Sequence, residues 1–143
     1  MKVSQKLLAM LLAVALVAGL AGSLAACTAG SGTPTMPAEV KDFNSSSQVT
    51  GGVTFINYTV TVKASANWDS LSQGRQEAIV NYAFQMAWQR NAENSVTNYN
   101  IVGYSEATDS APSVTLFMWD RENGVVILYT AGAQSGSMAA PQP

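Results

Sequence analysis

Few side chains in this sequence can do covalent or metal chemistry. Its 143 residues include one cysteine, Cys27, and no histidine. A single cysteine forms no internal disulfide. Zinc sites built on Cys and His lack their ligands, and Ser-His-Asp or Cys-His relays lack their base. Carboxylates remain. Asp69, Glu77, Glu106, Asp109 and Asp120 could in principle supply a pair for glycoside hydrolysis, but no spacing or flanking motif joins any two of them. Asp120-Arg121-Glu122-Asn123-Gly124 comes near a calcium loop, yet its register is wrong and it is too short. It reads as a solvated hairpin turn. No catalytic residue, metal or cofactor is therefore expected, and the domain is expected not to be an enzyme.

Aromatic side chains offer a second kind of chemistry, that of contact. Three tryptophans and five tyrosines occur, most at positions that would face a core. Exposed members would make a protein-binding or glycan-stacking patch. Trp68, just before a helical segment, and Trp119, just before the Asn-Gly turn, are the candidate binding residues.

The residues around Cys27 are more specific. Lys2 and Lys6 form a positive start, Leu7–Leu20 is continuously apolar, and Ala21–Ala26 is mostly small. This is the layout of a secretory signal peptide. Its end, Leu24-Ala25-Ala26-Cys27, matches at all four positions the lipobox of bacterial lipoproteins, and the first 27 residues resemble a lipoprotein leader. The resemblance implies diacylglycerol on the Cys27 thiol, cleavage before Cys27, and often acylation of the new amine. Two or three acyl chains anchor stably where one binds only marginally. The expected address is extracytoplasmic, held to a membrane of the bacterial envelope. Two alternatives stand beside it: an uncut apolar run of about 20 residues is long enough to span a bilayer, and ordinary signal peptidase would leave a free thiol. The sequons Asn44-Ser45-Ser46 and Asn57-Tyr58-Thr59 read as chance in a bacterium.

Loss of Lys2 and Lys6 with the leader moves the formal charge from −2 to −4. Nucleic acid is then not expected as a partner, since phosphate binding needs clustered Lys and Arg. A membrane, through Cys27, and an envelope protein are the expected partners.

These residues need a scaffold. The expected organisation is a signal peptide over 1–26, a flexible tether over 27–48, an α+β domain over 49–130 and a disordered tail over 131–143. The tether and tail are rich in Gly, Ser, Thr and Pro, with few apolar side chains to offset ordering entropy. Within the domain, Val53–Ala64 alternates, with Ile56, Tyr58, Val60 and Val62 on one face. Trp68–Asn91 has helical spacing and a Ser70-x-x-Gln73 capping box. Tyr99–Glu106, Ser113–Asp120 and Val125–Thr130 read as strands, the last two joined through Asn123-Gly124. The prediction is one helix packed on a four-stranded, mainly antiparallel sheet in the order β-α-β-β-β. A small open barrel is the alternative. Three functions follow: a non-enzymatic interaction or structural domain, a module holding a peptide, glycan or small molecule on the sheet, and an enzyme if two carboxylates converge in a cleft. An exposed strand edge beside a flat polar face favours the first, and a groove lined by exposed Trp and Tyr favours the second.

Overall fold

A computed structural model describes residues 32–94 and 96–143, so the leader and Cys27 lie outside the described residues. Residues Pro34–Pro143 make one compact unit. The fold is α+β, as expected, but the sheet has six strands rather than four: β1 (Val40–Thr50), β2 (Val53–Val62), β3 (Tyr99–Ser105), β4 (Thr115–Asp120), β5 (Val125–Thr130) and β6 (Ala133–Ala139), laid side by side in chain order. The long helix α1 (Gln73–Asn94) connects β2 to β3. Those two strands pair in parallel, with Tyr58 opposite Ile101 and Val60 opposite Gly103, while every other neighbouring pair is antiparallel. Parallel neighbours need a long crossover, and α1 supplies it.

Strand β2 carries the period expected of it: Ile56, Tyr58, Val60 and Val62 are buried while the residues between them are at least partly exposed. Helix α1 lays Ile79, Val80, Ala83, Phe84 and Ala87 into the same core, all fully buried. The core is rich in rings. Phe43, Tyr58, Tyr99, Trp119, Phe84 and Trp88 follow one another with centroids 5.4 to 5.9 Å apart. Such offset and edge contacts add to the area they bury.

Two expectations about the chain's margins are corrected. The segment expected as a tether over 27–48 becomes strand β1 from Val40 onward. It hydrogen-bonds along β2 through a two-residue turn, Gly51-Gly52, whose φ values of +59° and +80° suit a hairpin of type I′. Val40 and Phe43 dock in the core, while the Ser and Asn positions lie on an edge. The segment expected as a disordered tail over 131–143 becomes β6. Ala131-Gly132 is a second two-residue turn with φ +49° and +79°, Met138 packs on the core, and Ala140 is buried with its N–H donating to the Gly124 carbonyl at 3.0 Å. In both places main-chain hydrogen bonds to a preformed strand replace the side-chain burial that the sequence lacks.

The helix also starts later than Trp68. Two single turns of 3-10 helix, Ala64–Ala66 and Trp68–Ser70, precede it, with Asn67 between them at φ +48°. The capping box does not form. The Ser70 hydroxyl donates back to the Asn67 carbonyl at 2.9 Å, and the Gln73 amide donates to Glu77 at 2.8 Å. The Ser72 carbonyl accepts from the Arg75 and Gln76 amides instead. At the far end, Asn91 accepts from the Tyr58 hydroxyl at 3.4 Å and donates to the Val96 carbonyl at 2.6 Å, fixing the return to β3.

Candidate functional site

The two tryptophans singled out by sequence serve the interior. Trp68 is 5% exposed, its ring sits 5.8 Å from that of Phe117, and its indole N–H donates to the Tyr129 carbonyl at 3.2 Å. It ties the start of the helical connection to β5 and is no stacking platform. Trp119 lies half-buried on β4, 5.4 Å from Phe84 and 5.5 Å from Tyr99 between centroids, with the Arg121 guanidinium 5.6 Å from its ring. Its indole Nε1 is buried with no hydrogen-bond partner among the described residues. No ring contact joins Trp68 to Trp119 among the described residues, so the structure does not assemble them into one patch.

Three of the candidate carboxylates have structural tasks, Glu77 through its hydrogen bond from Gln73. Glu106 accepts from Lys41 at 2.6 Å and from the Ala64 amide at 3.2 Å, and the Lys41 hydrogen bond holds its pKa below the usual carboxylate range. Asp120 accepts from the side chain and backbone N–H of Asn123 at 2.7 and 3.2 Å, which lowers its pKa likewise. It closes the Arg121–Gly124 turn between β4 and β5, the hairpin read from Asn123-Gly124. Among the described residues no three Asp, Glu or Cys side chains stand where they could share a metal ion, and no helix is long and apolar enough to cross a membrane.

Two of the surface concavities adjoin features that bear on function. One, of about 300 Å³, lies beyond the carboxyl ends of the parallel strands β2 and β3. Its walls are mostly apolar, from Trp68, Pro112, Val114 and Leu116, with Asp69 and Glu106 at its rim. Asn67 and Ala131, the non-glycine residues with positive φ, both border it. Sheets with parallel strands place ligands at this end.

The other is a groove of about 320 Å³ between α1 and the last strand, lined by Gln73, Gln76 and Glu77 on the helix and by Leu128, Gly136 and Met138 on β5 and β6. Helix α1 makes its main strand contacts with β3, β2 and β1, and the groove opens beside it over β5 and β6. Beyond the groove lies the bare edge of β6. This strand pairs with β5 alone, all its residues but Met138 are exposed, and Ala133-Gln134-Ser135-Gly136-Ser137-Met138-Ala139 contains no charge and no proline. Edge strands are ordinarily blunted by charge, proline or a bulge. On β6 charge and proline are absent, and a bulge at Ser135 interrupts the pairing, Gly136 standing opposite Leu128 and Gln134 opposite Tyr129. The opposite edge, β1, carries both charge and a bulge at its start: Lys41, Asp42 and a register shift between Val40 and Asp42. Sequence reasoning missed β6 because its residues are small and polar. The available signal was local: Ala131-Gly132 directly after the apolar run Val125–Thr130, followed by seven residues of matching length.

Comparison with family models, with curated proteins and with solved structures gave no match to this chain.

Proposed function

We propose that this chain is a lipid-anchored lipoprotein of the bacterial envelope whose domain is a non-enzymatic interaction module, engaging a protein through the open edge of β6. One observation carries the reading: β6 offers an uncharged, proline-free strand edge next to a groove, an arrangement that can receive an added strand. Main-chain hydrogen bonds supply affinity in that mode, and alternate side chains entering a groove supply selectivity. The anchor part of the proposal rests on the lipobox and places the domain at a membrane surface.

The test has two arms. Cys27→Ala shifts the protein from the membrane to the soluble fraction, and equal membrane retention of both forms removes the anchor. Affinity capture from the native envelope then compares the wild type with Gly136→Lys, which sets a charge on the edge at a position where an added side chain meets open space. A partner retained equally by both variants removes β6 as the contact surface.

A second reading, a small-ligand module, has one observation of its own. Asn67 and Ala131 hold positive φ at the rim of the cavity beyond β2 and β3. Strained backbone of this kind gathers at binding sites. Ligand-induced shifts confined to Asn67, Glu106 and Ala131 in a two-dimensional NMR screen would favour it over strand addition.

A further inference from the structure

We infer that β1 pairs edge to edge with β1 of a second copy of this chain, in a twofold-symmetric dimer whose two sheets run on as one. The inference stands apart from the reading of β6, which such a dimer leaves open at both outer ends.

The first ground is the edge itself. Strand β1 pairs with β2 alone, and Asn44 through Thr50 are all exposed. Its irregularity is confined to the start, between Val40 and Asp42. From Asp42 to Thr50 each residue stands opposite one partner on β2, with no further shift. Phe43 through Thr50 contains no charge and no proline. Edge strands are ordinarily kept short, charged or bulged. This one has 11 residues, against about five or six in a usual strand. Past Asp42 it offers a long, regular row of main-chain donors and acceptors.

The second ground is Val49. Its side chain is 71% exposed, more than any other large apolar residue among those described. Side chains alternate along a strand, so Val49 shares a face with Phe43, which is buried. Two copies paired antiparallel on an axis at Ser46 set Val49 against Phe43 of the second copy. The Phe43 ring lies 5.9 Å from that of Tyr58 and 6.4 Å from that of Tyr82. Val49 thus extends the aromatic core of the other copy and leaves water.

The third ground is register. The same axis sets Ser46 against itself, Ser45 against Ser47, Asn44 against Gln48 and Asp42 against Thr50. Hydroxyls meet hydroxyls, amides meet amides, and no like charges oppose. Directly opposed residues in such a pair have Cβ atoms about 4.5–5.5 Å apart, a spacing these side chains suit. The neighbouring axes fail. One at Ser45 sets Val49 against Lys41, and one at Ser47 sets it against Ser45. The pairing also closes on itself, since each copy uses up the other's β1 edge, as in closed oligomers.

The experiment uses the full chain in its own membranes, with the wild type, whose single cysteine is Cys27, as background. A short thiol-reactive cross-linker is applied to Ser46→Cys, to Thr50→Cys alone, and to Thr50→Cys expressed together with Asp42→Cys. The expected result is an adduct of twice the chain mass, above background, for Ser46→Cys and for the mixed pair. Thr50→Cys alone gives none, since its copies sit about 27 Å apart at 3.4 Å per residue. In detergent, the wild type sediments at twice the chain mass. Ser45→Lys with Ser47→Lys opposes like charges and halves that mass. Ser45→Lys with Ser47→Glu opposes lysine to glutamate and keeps the dimer, so the two double variants separate pairing from folding. Gly136→Lys, on β6, also stays dimeric. A wild type that sediments as one chain, with no adduct above background, overturns the dimer and leaves the β6 reading untouched. Adducts of Ser46→Cys with a different protein only overturn the second copy as occupant. Equal dimerisation of the two charge variants, or loss of the dimer in Gly136→Lys, overturns β1 as the surface that joins the copies.

Discussion

Replacing Gly103 with alanine probes the packing that holds helix α1, β3 and β4 together. The new Cβ would stand 2.1, 2.5 and 2.6 Å from Cε1, Cδ1 and Cζ of Phe117. Carbon atoms in contact sit about 3.5 Å apart, so the ring must retreat by about 1.4 Å. It has nowhere to go: Phe117 is fully buried, and the Trp68 ring packs on it at 5.8 Å. Trp68 is in turn tethered to the Tyr129 carbonyl. Overpacking of this kind costs about 1–3 kcal/mol or more. Removing a strand glycine returns about 0.5–1 kcal/mol by restricting the unfolded chain. The clash wins, and Gly103→Ala should destabilise the domain by about 2 kcal/mol. At about 4 °C per kcal/mol for a unit near 100 residues, Tm should fall by about 8 °C. The assay is thermal and urea unfolding followed by circular dichroism. Adding Phe117→Leu, which withdraws the crowding ring atoms, should recover part of the loss, so the double variant should be less damaged than the two single effects added together. A Gly103→Ala protein melting within 2 °C of wild type, or strictly additive effects, would refute the packing argument.

Other outcomes follow from the same contacts. Trp68→Phe keeps a ring against Phe117 but strands the Tyr129 carbonyl, and urea unfolding should show a loss of about 1–3 kcal/mol. A loss under 0.5 kcal/mol would mean the indole hydrogen bond contributes nothing. Glu106 and Asp120 have depressed pKa values, so the stability they contribute is present above the unfolded carboxylate range and is lost as pH falls through their folded values. Urea midpoints should therefore hold between pH 7 and about pH 5 and decline below, with a shallower decline in Glu106→Gln. Lys41 is raised by the same hydrogen bond to Glu106, so its contribution holds below the ordinary lysine range and disappears as pH rises through its folded value. An equally steep acid decline in Glu106→Gln would contradict the assigned pairing. If the proposed lipid anchor holds, Cys27→Ala should move the protein from the membrane to the soluble fraction, and an unchanged distribution would refute it.

Much of the fold was legible residue by residue. Alternation in Val53–Val62 announced β2 and its buried face, the broad apolar stripe of Ile79 to Ala87 announced a helix lying on a sheet, and Asn123-Gly124 between two apolar runs announced the β4–β5 hairpin. The Leu24–Cys27 motif is also a local signal, and it lies outside the described residues. Each of these signals is local: the side chains that form the element also advertise it. The edges were not legible. Strand β1 beyond Phe43 and nearly all of β6 bury little, and they are strands because β2 and β5 present hydrogen-bonding edges at the right place. The parallel pairing of β2 with β3 likewise needed α1 to carry the chain back across the sheet. Trp68 and Trp119 show the converse case. Their types suggested contact chemistry, but which face of the sheet they would meet depended on residues far along the chain, and Phe117, Tyr129, Phe84 and Tyr99 drew both inward. Local pattern therefore set what each segment wants to be. Only the tertiary structure decided which aromatic rings stay inside and which strand edge is left bare, because burial and main-chain pairing are settled between segments and not within them.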